Sequence, residues 1–134
     1  MSYSVAELYE YAEKNNIEVI SLATRKAQSI SMIDENGDCG IGINPFLLVS
    51  EADEKVKLAH ELGHCETGSF YNIYSPFDIR SKHEHTANKW AIKKLIPEDE
   101  LKEAYKYCRN RWELSEHFGV TEDFMQEALN FYLN

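Results

Sequence analysis

With 134 residues, 43 % apolar and 28 % charged, the chain has a globular composition and the length for one hydrophobic core, which argues against a disordered segment or two domains. Its formal net charge of -9 argues against sequence-independent binding to nucleic acid, because the phosphates would repel it. No apolar run is long enough to span a bilayer, and "MSYSVAELYEYAEKNN" has neither the basic opening nor the apolar centre of a secretion signal.

Ser4 with Glu7 makes a capping-box pattern, and Val5, Leu8, Tyr9 and Ala12 follow at helical spacing, so a helix is expected first. "IEVISL" reads as a short strand. "SISMID" and "CGIGIN" alternate on either side of "ENGD", and Asn-Gly between alternating runs signals a hairpin. A small antiparallel sheet is therefore expected at about 17–44. Ser50 with Asp53 reads as the start of a helix at about 50–66 that passes through His64 and stops near Gly68.

The aromatic, Asn- and Pro-containing stretch "SFYNIYSPFDIR" reads as an irregular loop. Ser81 opens a helix over 81–95, which Pro97 ends. "EDELKEAYKYC", "RWELSEHF" and "TEDFMQEALNFYL" are helical stretches punctuated by Asn110 and Gly119, giving a helical C-terminus over 98–134. The expected architecture is one α+β domain over 1–134, with the sheet early and helices after it. Cys39, Cys65 and Cys108 are odd in number and form no CxxC pair. No disulfide framework and no cysteine metal site is expected, and a reduced, cytoplasmic setting follows.

The chemistry concentrates in "LAHELGHCETG", where His60, Glu61, Leu62, Gly63 and His64 read H-E-x-x-H. On a helix, residues four apart lie about 40° apart around the axis and roughly 6 Å along it, so both imidazoles can face one metal ion. Glu61 projects to the side, where it can reach a water without binding the metal, and this spacing suits a hydrolytic zinc site. The plain reading is a core helix carrying two polar side chains. Two features weigh against it. Gly63 costs about 1 kcal/mol inside a helix relative to alanine, which asks for a reason such as close approach of another backbone. Val56, Ala59, His60, Gly63 and His64 share one stripe, so the histidines point inward and need partners. Cys65 points about 100° away from His64 and reads as a packing residue.

A catalytic zinc usually has three protein ligands. The candidates are His83, Glu84 and His85 in "SKHEHTANKWA". Glu84 is favoured, because Asn88 lies one turn on and could steady a ligating imidazole from outside the ligand set. Against this, Ser81 and Glu84 form a capping-box pattern that would explain the glutamate without a metal.

"LAHELGHC", then "EHTANKWAIKKLIP", then "WELSEHFGVTEDFMQEAL" together resemble the ImmA/IrrE family of metallopeptidases associated with phages and mobile elements. In that family H-E-x-x-H is followed by Glu-x-x-Ala-Asn/Asp on the next helix, an apolar stretch ending in Pro, and short C-terminal helices. Here those positions are Glu84, Ala87 and Asn88, then Trp90 to Pro97. The resemblance implies a zincin-like fold with His60, His64 and Glu84 as zinc ligands, Glu61 as catalytic base and Asn88 behind the ligands. It also implies a protein substrate, a repressor-type regulator. Some members carry an added DNA-binding domain, for which this chain has no room.

In such a mechanism Glu61 takes a proton from the attacking water and passes it to the leaving amine. A donor for the developing oxyanion would come from Tyr71, Tyr74, Arg80, His83 or His85, all in or beside the loop between the two ligand helices. Loop packing is the simpler account of either tyrosine. Two rival functions stand beside the peptidase. The stretch 114–132 has the outline of a helix-turn-helix, but its second helix carries Glu122, Asp123 and Glu127 and no Lys or Arg, so no direct nucleic-acid contact is expected. The other is a metal-containing regulator that binds its partner without cutting it, for which Glu61 would be dispensable.

Overall fold

The computed structural model describes residues 3–23, 27–71, 75 and 77–133. The fold is α+β, in the order helix, small sheet, helices. Helix α1 (Val5–Lys14) starts where expected, with Ser4 Oγ accepting from the Glu7 N–H at 3.1 Å and Glu7 accepting from the Ser4 N–H at 3.0 Å. It buries Leu8 and Ala12 and leaves its charged face in water.

Strands β1 (Glu18–Ser21), β2 (Ser29–Ile33) and β3 (Cys39–Ile43) form one sheet in the order β1-β3-β2. The expectation of an antiparallel sheet needs correction. β2 and β3 are antiparallel, but β1 runs parallel to β3, so the sheet is mixed. Period-2 alternation reports which face a residue takes, not which strand it pairs with. The hairpin also closes differently from a two-residue Asn-Gly turn. Asp34 Oδ1 accepts from the N–H groups of Asn36 and Asp38, and only Gly37 takes a left-handed φ, +85°. One sheet face packs Ile41 and Ile43 into the core.

Helix α2 (Glu51–Thr67) is capped by Ser50, whose Oγ accepts from Asp53 N–H at 3.0 Å, and it ends at Gly68 in the left-handed conformation (φ 66°). Leu58, Ala59 and Leu62 form its core face. Helix α3 (Arg80–Leu95) lies against it, burying Ala87, Ala91, Ile92 and Leu95. The glycine at 63 has the reason its position demanded. A Cβ there would collide with the Ala87 carbonyl oxygen and lie 3.0 Å from Ala87 Cα, so the two helices meet backbone to backbone.

Helices α4 (Glu98–Ala104), α5 (Arg111–Phe118) and α6 (Glu122–Leu133) follow. Asn110 caps α5, Gly119 ends it at φ 66°, and Phe124 N–H donates to Thr121 Oγ1 at the start of α6. The buried Lys55 ammonium of α2 donates to the Phe118 carbonyl at 2.5 Å, which ties α2 to the end of α5. Burial lowers the Lys55 pKa from its usual range.

The cysteine expectation is also corrected. Cys39, the first residue of β3, and Cys65, in the last turn of α2, form a disulfide with a Cα–Cα distance of 5.7 Å, leaving Cys108 free. Their separation of 26 residues carries no local signal, and only packing of the sheet on α2 brings them together. The premise of a fully reduced chain therefore falls. No helix among the described residues is long and apolar enough to cross a membrane.

Candidate metal centre

Close helix packing at Gly63 sets the geometry of the site. Because α3 passes against α2 there, Glu84, one turn before Ala87, reaches across to the histidines that flank Gly63. His60 Nε2 lies 2.7 Å from Glu84 Oε2, and His64 Nε2 lies 3.2 Å from Glu84 Oε1. One ligand atom from each of the three residues lies within 4.8 Å of the others, a donor set able to hold a metal ion. His64 is buried, with 7 % of its side chain exposed, while Glu84 is 45 % exposed, so the cluster has one wet side.

The tautomer of His64 is fixed from behind. Gly68 turns the chain so that the Ser69 N–H donates back to the His64 carbonyl, and the Ser69 carbonyl then accepts from His64 Nδ1–H at 2.5 Å. A proton held on Nδ1 leaves the Nε2 lone pair for a metal. Ser69 is absent from the sequence reading. Its only signal was position, directly after a helix-ending glycine.

The alternative explanation for Glu84, an N-terminal capping box with Ser81, does not hold. α3 begins one residue earlier, at Arg80, and Ile79 occupies the cap with no side-chain hydrogen bond. Glu84 faces the histidines instead.

Glu61 lies beside them with 7 % of its surface exposed, and its Oε2 accepts from Ser29 Oγ–H of β2 at 2.7 Å. Ser29 too was missed, because nothing local links a strand serine to a helix glutamate 32 residues on. Asn88 Nδ2 donates to Glu127 Oε2 of α6 at 2.9 Å, and Asn88 lines the same groove as the histidines. Tyr71 and Arg80 line the same groove as the cluster. His83 pairs with Asp78, His85 is exposed, and neither is among the described residues lining the groove. Tyr74 lies outside the described residues.

The groove has a volume of about 860 Å³ and runs between the β2 strand on one side and the start of α6 on the other. Helix α2 contributes His60, Glu61 and His64 to its lining, and α3 contributes Glu84 and Asn88.

The family model for the IrrE N-terminal-like domain, Peptidase_M78, matches residues 12–130. The chain therefore belongs to this metallopeptidase-type family, and the match takes in α2, α3 and the whole cluster. The family is metal-dependent, and membership implies peptidase activity in general terms and a protein as substrate. No curated protein matches the chain.

Proposed function

We propose that the chain is a zinc-dependent endopeptidase of narrow specificity that cleaves a regulatory protein, such as the repressor of a phage or mobile element. The observation that carries this reading is the convergence of His60, His64 and Glu84 within 4.8 Å in the lining of a groove that also holds Glu61. Two imidazoles and one carboxylate suit zinc, with Nε2 of each histidine and the Glu84 carboxylate as the holding groups. Bound there, zinc supplies Lewis acidity, which acidifies a water and polarises a carbonyl.

The remaining work falls to the chain's own residues. Glu61 is close to the ligands in sequence but turned aside from them, held by Ser29 rather than by the histidines. It accepts the proton of the attacking water and delivers it to the leaving nitrogen, so one carboxylate serves both halves of the hydrolysis. Tyr71 and Arg80 line the groove and are the candidates for the donor to the developing oxyanion. Ser69, by fixing the His64 tautomer, keeps the ligand side of that ring ready.

A repressor as substrate is supported by the resemblance to the ImmA/IrrE peptidases, whose members act on or through such regulators, and it implies a cytoplasmic setting. Direct nucleic-acid binding is not part of the reading. In α6, Glu122 is paired with Arg111, Asp123 and Glu127 line the groove, and Phe124, Met125, Ala128 and Leu129 are buried in the core.

The test incubates the zinc-loaded chain and its Glu61→Gln variant with purified candidate repressors and reads fragments by intact mass. The reading expects defined fragments from the wild type and none from the variant, with equal zinc in both. If Glu61→Gln inactivates the repressor as well as the wild type does, the chain is a metal-containing binding regulator instead.

A further inference from the structure

We infer that Ser29 is the residue that positions Glu61 for proton transfer, an assignment that rests on the reading of Glu61 as the general base. Ser29 Oγ–H donates to Glu61 Oε2 at 2.7 Å, and among the described residues it is that carboxylate's hydrogen-bond partner. Glu61 is buried to within 7 % of full exclusion, so its orientation is set by protein rather than by solvent.

The delivery of the hydroxyl is rigid. Ser29 is the first residue of β2 and stands in register with Ile43 of β3, while the preceding Gln28 carbonyl accepts from the Asn44 N–H at 2.8 Å. The donor thus comes from a paired strand and not from a loop. The α2 backbone fixes the Cα of Glu61 but leaves its three side-chain torsions free. A donor on Oε2 removes the freedom of the last torsion and presents Oε1 as the oxygen that takes the proton.

The proton balance is simple. The attacking water's oxygen bonds to the peptide carbonyl carbon as one of its O–H bonds breaks and an O–H bond forms on Glu61 Oε1. That proton then leaves for the departing amine nitrogen as the peptide C–N bond breaks. The Ser29 proton stays on Oγ throughout, because Oε2 accepts from it whether Glu61 is charged or neutral. Ser29 is therefore a positioning residue and never touches the reacting atoms. Its placement on β2 also couples the base to the strand that forms one wall of the groove, so the base and the wall against which a substrate chain lies are held as one unit.

The test compares zinc-loaded wild type, Ser29→Ala and Ser29→Thr, using as probe a synthetic peptide library read by mass spectrometry, with metal content measured for each. Misorienting the base is expected to lower kcat about 10- to 100-fold in Ser29→Ala with KM and zinc content unchanged. Ser29→Thr, which keeps the hydroxyl, restores turnover. A bond that merely satisfies a buried carboxylate would instead lower Tm and leave kcat alone, and unchanged kcat in Ser29→Ala overturns the inference. Crystal structures of the wild type and Ser29→Ala decide the matter without turnover. Rotation of the Glu61 carboxylate in the variant supports positioning, and a Glu61 that keeps its orientation overturns it. Failure of the underlying reading looks different: Glu61→Gln then cleaves like the wild type, whatever Ser29 does.

Discussion

Gly63 and Ala87 touch through their backbones. The Ala87 carbonyl fills the space a Gly63 side chain would need, with Ala87 Cα 3.0 Å from the position of that missing Cβ. This contact sets the spacing of α2 and α3. It is the reason a carboxylate three residues before Ala87 can lie within hydrogen-bond distance of imidazoles on either side of Gly63.

Gly63→Ala is therefore expected to push the helices apart. Overpacking costs about 1–3 kcal/mol, against which the gain in helix propensity returns at most about 1 kcal/mol. Thermal unfolding should show a lower Tm, and metal analysis of the folded fraction should show weakened binding. A variant with raised Tm and full metal would mean that the close approach is relaxed at no cost and does not set the site.

The Cys39–Cys65 bond links the sheet to the turn of α2 that carries His64. A digest without reductant should contain the 39–65 linked peptide, with Cys108 alone open to alkylation. Closing a loop of this size stabilises by about 3 kcal/mol through the unfolded state, so reduction should lower the denaturant midpoint accordingly. Both thiols alkylated in the untreated protein would contradict the bond.

Alkaline pH probes the contact of α1 with α2. Burial first, and then the Glu66 carboxylate to which its hydroxyl donates at 2.9 Å, push the Tyr11 phenol up to about 12. Tyr9, bonded to Glu54, is pushed in the same direction. Both keep their protons in the folded chain when the unfolded chain has released them. The stabilisation from Tyr11 is thus complete below pH 10 and is lost as pH rises through about 12. Denaturant midpoints measured across that window should fall for the wild type and fall less for Tyr11→Phe. Equal slopes would show that Tyr11 titrates alike in both states.

Much of the frame was legible because its causes are local. Ser4 with Glu7, Ser50, Asn110, Gly68 and Gly119 each act within a few residues, and the helices begin or end at them. Gly63 stood out as a cost without a local benefit, and the benefit lies in Ala87. The parallel pairing of β1 with β3, the cysteine bridge, the Ser29 bond to Glu61 and the Asn88 bond to Glu127 are all decided by packing between distant segments. Alternation, spacing and capping patterns do not encode them. Ser81 shows the limit from the other side: the helix starts one residue before this capping pattern would have it, and Glu84 is paired with the histidines instead.

The central claim is that His60, His64 and Glu84 together hold one metal ion, and metal content tests it most directly. Elemental mass spectrometry of the untagged protein, beside its Glu84→Ala variant, should give about one zinc per wild-type chain and little or none in the variant. A wild type that stays metal-free at neutral pH after zinc is supplied, or a Glu84→Ala variant that retains its zinc in full, would contradict it.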